Sequence, residues 1–299
     1  MRPLLALVIY FIVVFVGGAL LAPWLYWLAQ HTAFDFPKIA DAQFRRFVDR
    51  SFLILALAGA WPLLRVFGAR SAQDMGITLS YGQSRKFFGG LLLGFFSLAF
   101  VAGIAIAFGG RVFARNLTAH TIVATIFSAM VTAAIVAIIE EILFRGAIFG
   151  GLRRVIYWPF ALLISSVIFA LVHFLQSADI SGAVAWNSGL VLLPRILAGF
   201  TDFHALVPGF FNLTLVGIIL GLAYQRTGNL YFSIGLHAGW VFWLKTYGAF
   251  TRHAPNAAAW FWGTGQMRDG WLAFLALLLT LVIFKFLPLE KRSPFTIPS

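Results

Sequence analysis

Three short segments of this 299-residue sequence hold side chains able to do acid–base chemistry. The first is Ile138-Ile139-Glu140-Glu141-Ile142-Leu143-Phe144-Arg145, which sets two carboxylates and a guanidinium at the end of an apolar run. The whole chain has only three glutamates, and the third, Glu290, stands near its end. On an α-helix Glu141 and Arg145 are at i and i+4, in the acid-first order that favours an ion pair. Glu140 is turned away from that face by about 100°. One carboxylate therefore has a local partner, and the other is the natural base to take a proton from water. The same three side chains would equally serve as a structural network locking a helix bundle, and the segment alone does not choose.

The second segment, Ser165 to Phe174, places Phe169 and His173 four residues apart in an apolar helix. In the third, Ser233-Ile234-Gly235-Leu236-His237-Ala238-Gly239-Trp240, a histidine stands among small residues that permit close helix contact. A single histidine on an apolar face is usually a packing residue. Two of them in separate helices, beside an acidic pair, favour a site.

The elements that must position these residues are membrane helices. The chain is 61% hydrophobic and 11% charged, with a mean hydropathy of +0.91. Soluble chains carry about 25% charged residues, so the composition excludes a cytosolic enzyme, a coiled coil and a disordered chain. The absence of cysteine excludes disulfides, thiolate metal sites and a lipidated cysteine. A membrane helix needs about 20 apolar residues, and eight segments qualify, near 4–28, 51–68, 87–109, 121–144, 157–176, 207–225, 229–250 and 270–288. The expected fold is an all-α polytopic bundle of about eight transmembrane helices. It divides into N-terminal helices with an interfacial connector (1–119), a core carrying the three segments (120–250), and a last helix with a short tail (251–299).

Between the first two spans, Phe44, Phe47 and Val48 predict a short helix lying in the headgroup plane. Residues 69–86 read as a polar connector. The 177–206 region, broken by Gly182, Pro194, Arg195, Gly199 and Asp202, predicts a re-entrant or surface-lying helix. The net charge of +12 is read as loop cations meeting lipid headgroups rather than nucleic acid. Lys38, Arg111, Arg153, Arg226, Arg268, Lys291 and Arg292 belong to that count, which divides evenly between the two faces and leaves the orientation open.

Taken together, Glu140-Glu141-x-x-x-Arg145, Phe169-x-x-x-His173 and His237 resemble the motifs of the CPBP intramembrane proteases, the family of CAAX prenyl proteases and Abi proteins. The resemblance spans roughly residues 120–245. It implies an intramembrane endopeptidase in which Glu140, with His173, activates water and His237 with the residue four positions on stabilises the oxyanion. Glu141, Arg145 and Phe169 would support them. It also implies a peptide or protein substrate reached from the membrane, lipidated in some members, no cofactor, and residence in a membrane such as the bacterial inner membrane, among its lipids.

The sequence departs from this pattern at Val241, where the family has asparagine. Lys245 and Asn212 are the candidates to replace that donor. Two alternatives use the same residues differently. In one, Glu140, His173 and His237 bind a catalytic zinc, a plausible ligand set with room for water. In the other, the protein is a membrane scaffold or immunity factor that keeps the network for structure.

Overall fold

The computed structural model describes residues 2–32, 39, 42–78, 81–115, 117–264, 267 and 269–287. Of the residues singled out above, Lys38, Arg268, Glu290, Lys291 and Arg292 lie outside this set. The polypeptide is helical almost throughout, and five helices are long and apolar enough to cross a membrane: Pro3–Thr32, Phe44–Val66, Gln83–Ala107, Ala119–Leu152 and Leu206–Thr227. The other three expected spans are also helices, Trp158–Val172, Tyr231–Phe250 and Trp271–Phe286. Two of these are shorter than a membrane-crossing helix needs. The third has 20 residues, but Ser233, His237, Lys245 and Thr246 lower its hydropathy.

Two compact units form. The first comprises Met1–Ala69 with Val172–Asp202. It contains α1 (Arg2–Ile12), a π-helical turn at Val13–Gly17, α2 (Gly18–Thr32) and α3 (Phe44–Val66). Phe44 and Val48 are not in a separate helix in the headgroup plane, as their spacing predicts. They open α3 itself and are buried with Ala22, Leu192 and Ile196, while Arg45, Arg46 and Arg50 stay exposed. The periodicity was that of a helix, and packing against Tyr26, whose ring meets Phe44 and Phe47 edge-on, makes it the first turns of a longer one. The interrupted region forms α4 (Ser188–Ile196), followed by a 3₁₀ turn at Leu197–Phe200.

The second unit comprises Arg70–Leu171 with Phe203–Ser299. Its helices are α5 (Gln83–Ala107), α6 (Ala119–Glu140), α7 (Gly150–Leu152), α8 (Trp158–Val172), α9 (Phe203–Thr227), α10 (Tyr231–Phe250), α11 (Ala259–Trp262) and α12 (Trp271–Phe286). Its core joins α5, α9, α10 and α12 through residues such as Leu98, Ile219, Leu236, Trp240 and Leu277. One small departure from an all-helical chain is an antiparallel ladder of β1 (Arg111–Phe113) and β2 (Thr251–His253).

Several cations counted as loop charges are structural instead. Arg111 is buried, donates to Thr251 Oγ1 and the Thr251 carbonyl, and lies over the Tyr247 ring. Arg153 is buried on Tyr224, and Arg226 donates to the last carbonyls of α12, at Phe284 and Leu287. Such residues hold helix ends and say little about which side of a membrane they face.

The polar connector is built rather than loose. Ser71 and Asp74 form a capping box on a 3₁₀ turn at Ala72–Met75, and Asp74 also receives Arg154 Nη2 at 2.9 Å. Gly76 closes the turn with φ 80°, and a side chain there would strike Tyr224. Partial burial raises the Asp74 carboxyl, but the Arg70 and Ser71 amides and the Arg154 guanidinium outweigh it and hold the group at about 2. Because that value lies below the unfolded carboxyl at about 3.9, the connector's contribution to stability is complete above pH 4 and is lost as pH falls toward 2. Protease nicking of the connector between pH 5 and 2 should show this loss in the parent protein, and Asp74→Asn should remove the pH dependence while weakening the connector throughout.

Candidate active site

The acidic pair stands where the helix changes its winding. α6 ends at Glu140, and Glu141–Phe149 continue as a π-helix before α7. A π-helix bonds residue i to i+5, and such insertions are rare and concentrated at functional sites. The α-helical phase argument therefore holds up to Glu140 and changes beyond it. The Glu141–Arg145 ion pair survives the change, with Oε1 and Nη1 2.9 Å apart and both side chains sealed from solvent, at 0% and 2% exposure.

His237 is brought to this pair by close contact of two backbones. α5 carries Gly90 and Gly94, and α10 carries Gly235 and Gly239, each pair one turn apart. A side chain at Gly90 would meet the Phe232 carbonyl, at Gly94 the Leu236 carbonyl, at Gly235 the Phe87 carbonyl, and at Gly239 the Leu91 carbonyl. Small residues spaced by four let helices approach this closely, and α5 with α10 is the most extensive helix pair of the fold. Trp240 Nε1 adds a hydrogen bond to Ser97 Oγ across the same contact. Trp240 and Trp243 thus act in packing, the latter with its ring tilted against Phe95.

With α10 fixed against α5, its other face meets α6. His237 Nδ1 lies 2.9 Å from Glu141 Oε1, and Nε2 lies 3.7 Å from Glu140 Oε2. One imidazole therefore spans both carboxylates. Glu141 is locked between Arg145 and His237, whereas the Glu140 side chain keeps 24% of its surface exposed. The 3.7 Å gap exceeds a direct hydrogen bond and leaves the two groups in electrostatic contact only.

Phe169 of α8 closes the cluster. Its ring lies 4.4 Å under the Arg145 guanidinium and meets His237 edge-on at 6.0 Å. It also packs edge-on against Phe144, and Ser165 Oγ donates to the Phe144 carbonyl one turn earlier on α8. The motif phenylalanine is thus an apolar seat for a buried cation, worth about 2 kcal/mol when desolvated.

The structure brings together Glu140, Glu141, Arg145, Phe169 and His237. His173 follows the last residue of α8 directly and is half-buried; it falls in the first compact unit, whereas the other five belong to the second. Val241 is buried against Ala133, Ala137 and Ala238, where α6 and α10 touch. Asn212 is buried and donates its Nδ2 to the Gly270 carbonyl, tying α9 to the start of α12. Lys245 is exposed and lines an open groove with residues of α6. Among the described residues, no group of three or more His, Cys, Asp or Glu side chains is gathered as a metal-binding set.

Sequence reasoning missed the Gly90-x-x-x-Gly94 partner of the α10 glycines, although its spacing is legible. It also missed that His237, rather than a third group, contacts both glutamates. No local signal carries that, since His237 and Glu141 are 96 positions apart.

A cluster of this composition in apolar helices defines a membrane protein with a polar site, and one comparison says of which kind. Residues 121–243 match the family model described as type II CAAX prenyl endopeptidase Rce1-like. No curated protein and no solved structure matches the chain. The matched segment begins two residues into α6 and ends within α10, and so contains every member of the cluster. The match points to a hydrolase, a CAAX-type protease of the membrane acting on a peptide or protein.

Proposed function

We propose that the protein is a membrane-embedded endopeptidase in which Glu140 is the base and His237 the oxyanion donor. The observation that carries this reading is the span of His237 between a fully buried carboxylate and a partly exposed one. With both ring nitrogens protonated, His237 donates Nδ1–H to Glu141 and offers Nε2–H to the space beside Glu140. Arg145, Glu141 and His237 then form a chain of alternating charge that orients the donor. With Glu140 ionised, the four groups sum to zero charge, as a poorly hydrated site requires.

Water entering beside Glu140 loses a proton to its carboxylate as the oxygen attacks the substrate carbonyl carbon. Negative charge gathers on the carbonyl oxygen and is met by His237 Nε2–H. As the carbon–nitrogen bond breaks, the proton held by Glu140 passes to the leaving amine, which returns the site to its starting state. His173 takes part in activating the water, a role supported by its place four residues after Phe169 and by the family match over this segment. The substrate is a peptide reached from the membrane, and the family description favours a lipidated one.

Val241 favours a slower enzyme than the family pattern. Its side chain offers no donor, and it is buried with Ala133, Ala137 and Ala238 where α6 and α10 touch. The oxyanion then rests on His237, and one such donor is worth about 3 kcal/mol. The test is cleavage of a lipidated reporter peptide by the purified protein in lipid vesicles, with and without chelator. Cleavage that survives chelation is expected. Loss on chelation with recovery on adding zinc would transfer Glu140, His173 and His237 to the zinc reading, and no cleavage at all would favour the scaffold.

A further inference from the structure

The connector that precedes α5 touches both segments that carry the site. Its 3₁₀ turn, Ala72–Met75, lies against the π-helix, where a side chain on Gly146 would bring its Cβ to 3.4 Å from the Met75 Cβ. Gly146 directly follows Arg145, the partner of Glu141. The next residues of the connector turn to α10. The Leu230 amide donates to the Gly76 carbonyl at 3.1 Å, and the Tyr231 hydroxyl donates to the Thr78 carbonyl at 2.9 Å. Tyr231 opens the helix that carries His237, which follows after a rise of about 9 Å. A third hold comes from Arg154, just beyond α7. Its Nη2 reaches the Asp74 carboxylate at 2.9 Å and the Asp74 carbonyl at 3.3 Å. Gly76 is buried between these contacts, and a Cβ on it would strike the Tyr224 ring and lie 3.1 Å from the Asn229 Cα. The connector is therefore wedged between the π-helix and the turn that joins α9 to α10.

Glu140 and His237 stand on different helices, and their 3.7 Å separation depends on how the end of α6 and the start of α10 are held. The glycine contact with α5 steadies α10 alone. We propose that the connector is a positioning element of the active site. Met75, anchored by the ion pair of Asp74 with Arg154, props the π-helix at Gly146 and so sets Arg145, Glu141 and His237 against Glu140. Arg154 acts on the reaction through Asp74 and Met75, without touching substrate. Magnitudes separate this role from a merely structural one. The Arg154 and Asp74 side chains keep 18% and 28% of their surface exposed, and ion pairs that are partly open to solvent add little to stability. Reaction rate, by contrast, responds steeply to ångström-scale misplacement of the reacting groups. The inference rests on the endopeptidase reading above and adds positioning residues to it.

The chain has no cysteine, so Met75→Cys with Gly146→Cys introduces the one pair that can cross-link within it. The 3.4 Å between the two Cβ positions is close to the about 3.8 Å that a disulfide spans. Such a bond would replace the ion pair as the hold on the π-helix. Cleavage of a lipidated reporter peptide in lipid vesicles is measured for the parent protein, Arg154→Met, Arg154→Lys, and Arg154→Met combined with the two cysteines, each below its melting temperature. Arg154→Met should lower kcat by about ten- to a hundredfold with KM little changed, the effect of an ångström-scale displacement at the reacting groups, while its melting temperature moves little. Arg154→Lys, which can still reach Asp74, should retain most of the rate. The combined variant should be slow when reduced and should regain most of the parent kcat when oxidised. Parent-like turnover by Arg154→Met overturns the positioning role and leaves the endopeptidase intact. So does an oxidised combined variant that carries the disulfide and stays slow, or a fall in melting temperature large enough to account for the lost rate. Failure of the two cysteines to pair overturns the contact of Met75 with Gly146 on which the role stands. Absence of cleavage by the parent protein overturns the endopeptidase reading, and the positioning role with it.

Discussion

Glu140→Gln is expected to lower peptide cleavage by two to four orders of magnitude, the range that a positioned general base contributes, while the protein accumulates and melts like the parent. Glutamine preserves the volume and can still face His237 Nε2 across the 3.7 Å gap. It cannot accept the proton of the attacking water. The fold should tolerate the change because Glu140 is the more exposed carboxylate of the pair, and the buried chain of Arg145, Glu141 and His237 does not depend on it. The decisive measurement is single-turnover cleavage in vesicles, where a loss in the chemical step is not masked by peptide binding. Cleavage within a few fold of the parent would remove Glu140 from the role of base. The inactive variant should also retain substrate, and a co-purifying peptide would report the sequence that the site selects.

The second large effect is on stability. Arg145→Met should cost about 3–5 kcal/mol, the penalty for leaving one partner of a buried ion pair uncompensated. Glu141 is fully enclosed, and without Arg145 its charge is met by His237 alone. Methionine fills much of the space over Phe169, so the loss is that of charge rather than of packing. The double variant Glu141→Leu with Arg145→Met removes both charges and should recover most of the stability, while still failing to orient His237. Thermal melts in detergent, paired with cleavage assays, separate the two effects. A single variant as stable as the parent would show that Glu141 is compensated elsewhere. A fully active double variant would show that His237 needs no carboxylate behind it.

The site was partly legible because helix geometry is local. The i, i+4 relation of Glu141 and Arg145 is enough to anticipate their ion pair, and it survives even though the segment winds as a π-helix. The spacing of small residues around His237 likewise pointed to a close helix contact, which α5 supplies through Gly90 and Gly94. What His237 touches was not legible. Glutamates on one helix and a histidine on another meet only when both helices have settled, and the same sequence spacing is compatible with His237 facing lipid. The headgroup-plane helix failed for a related reason: Phe44 and Val48 mark an apolar face, but whether that face meets lipid or the chain's own Leu192 and Ile196 depends on what packs there.

By itself the sequence determined that this is a helical membrane protein and that two of its three glutamates stand side by side at the end of an apolar run. Both follow from the free energy of transfer, which depends on side-chain type and needs no tertiary contact to be read. It could not tell which cations are structural, and Arg111, Arg153 and Arg226 show why a count of loop charges left the orientation open. Only the tertiary structure decided that Glu141 is sealed between Arg145 and His237 while Glu140 keeps 24% of its side-chain surface exposed, and that one histidine faces both. These are properties of distance between helices, and distance is set where backbones can touch, at four glycines on two helices well separated in the chain.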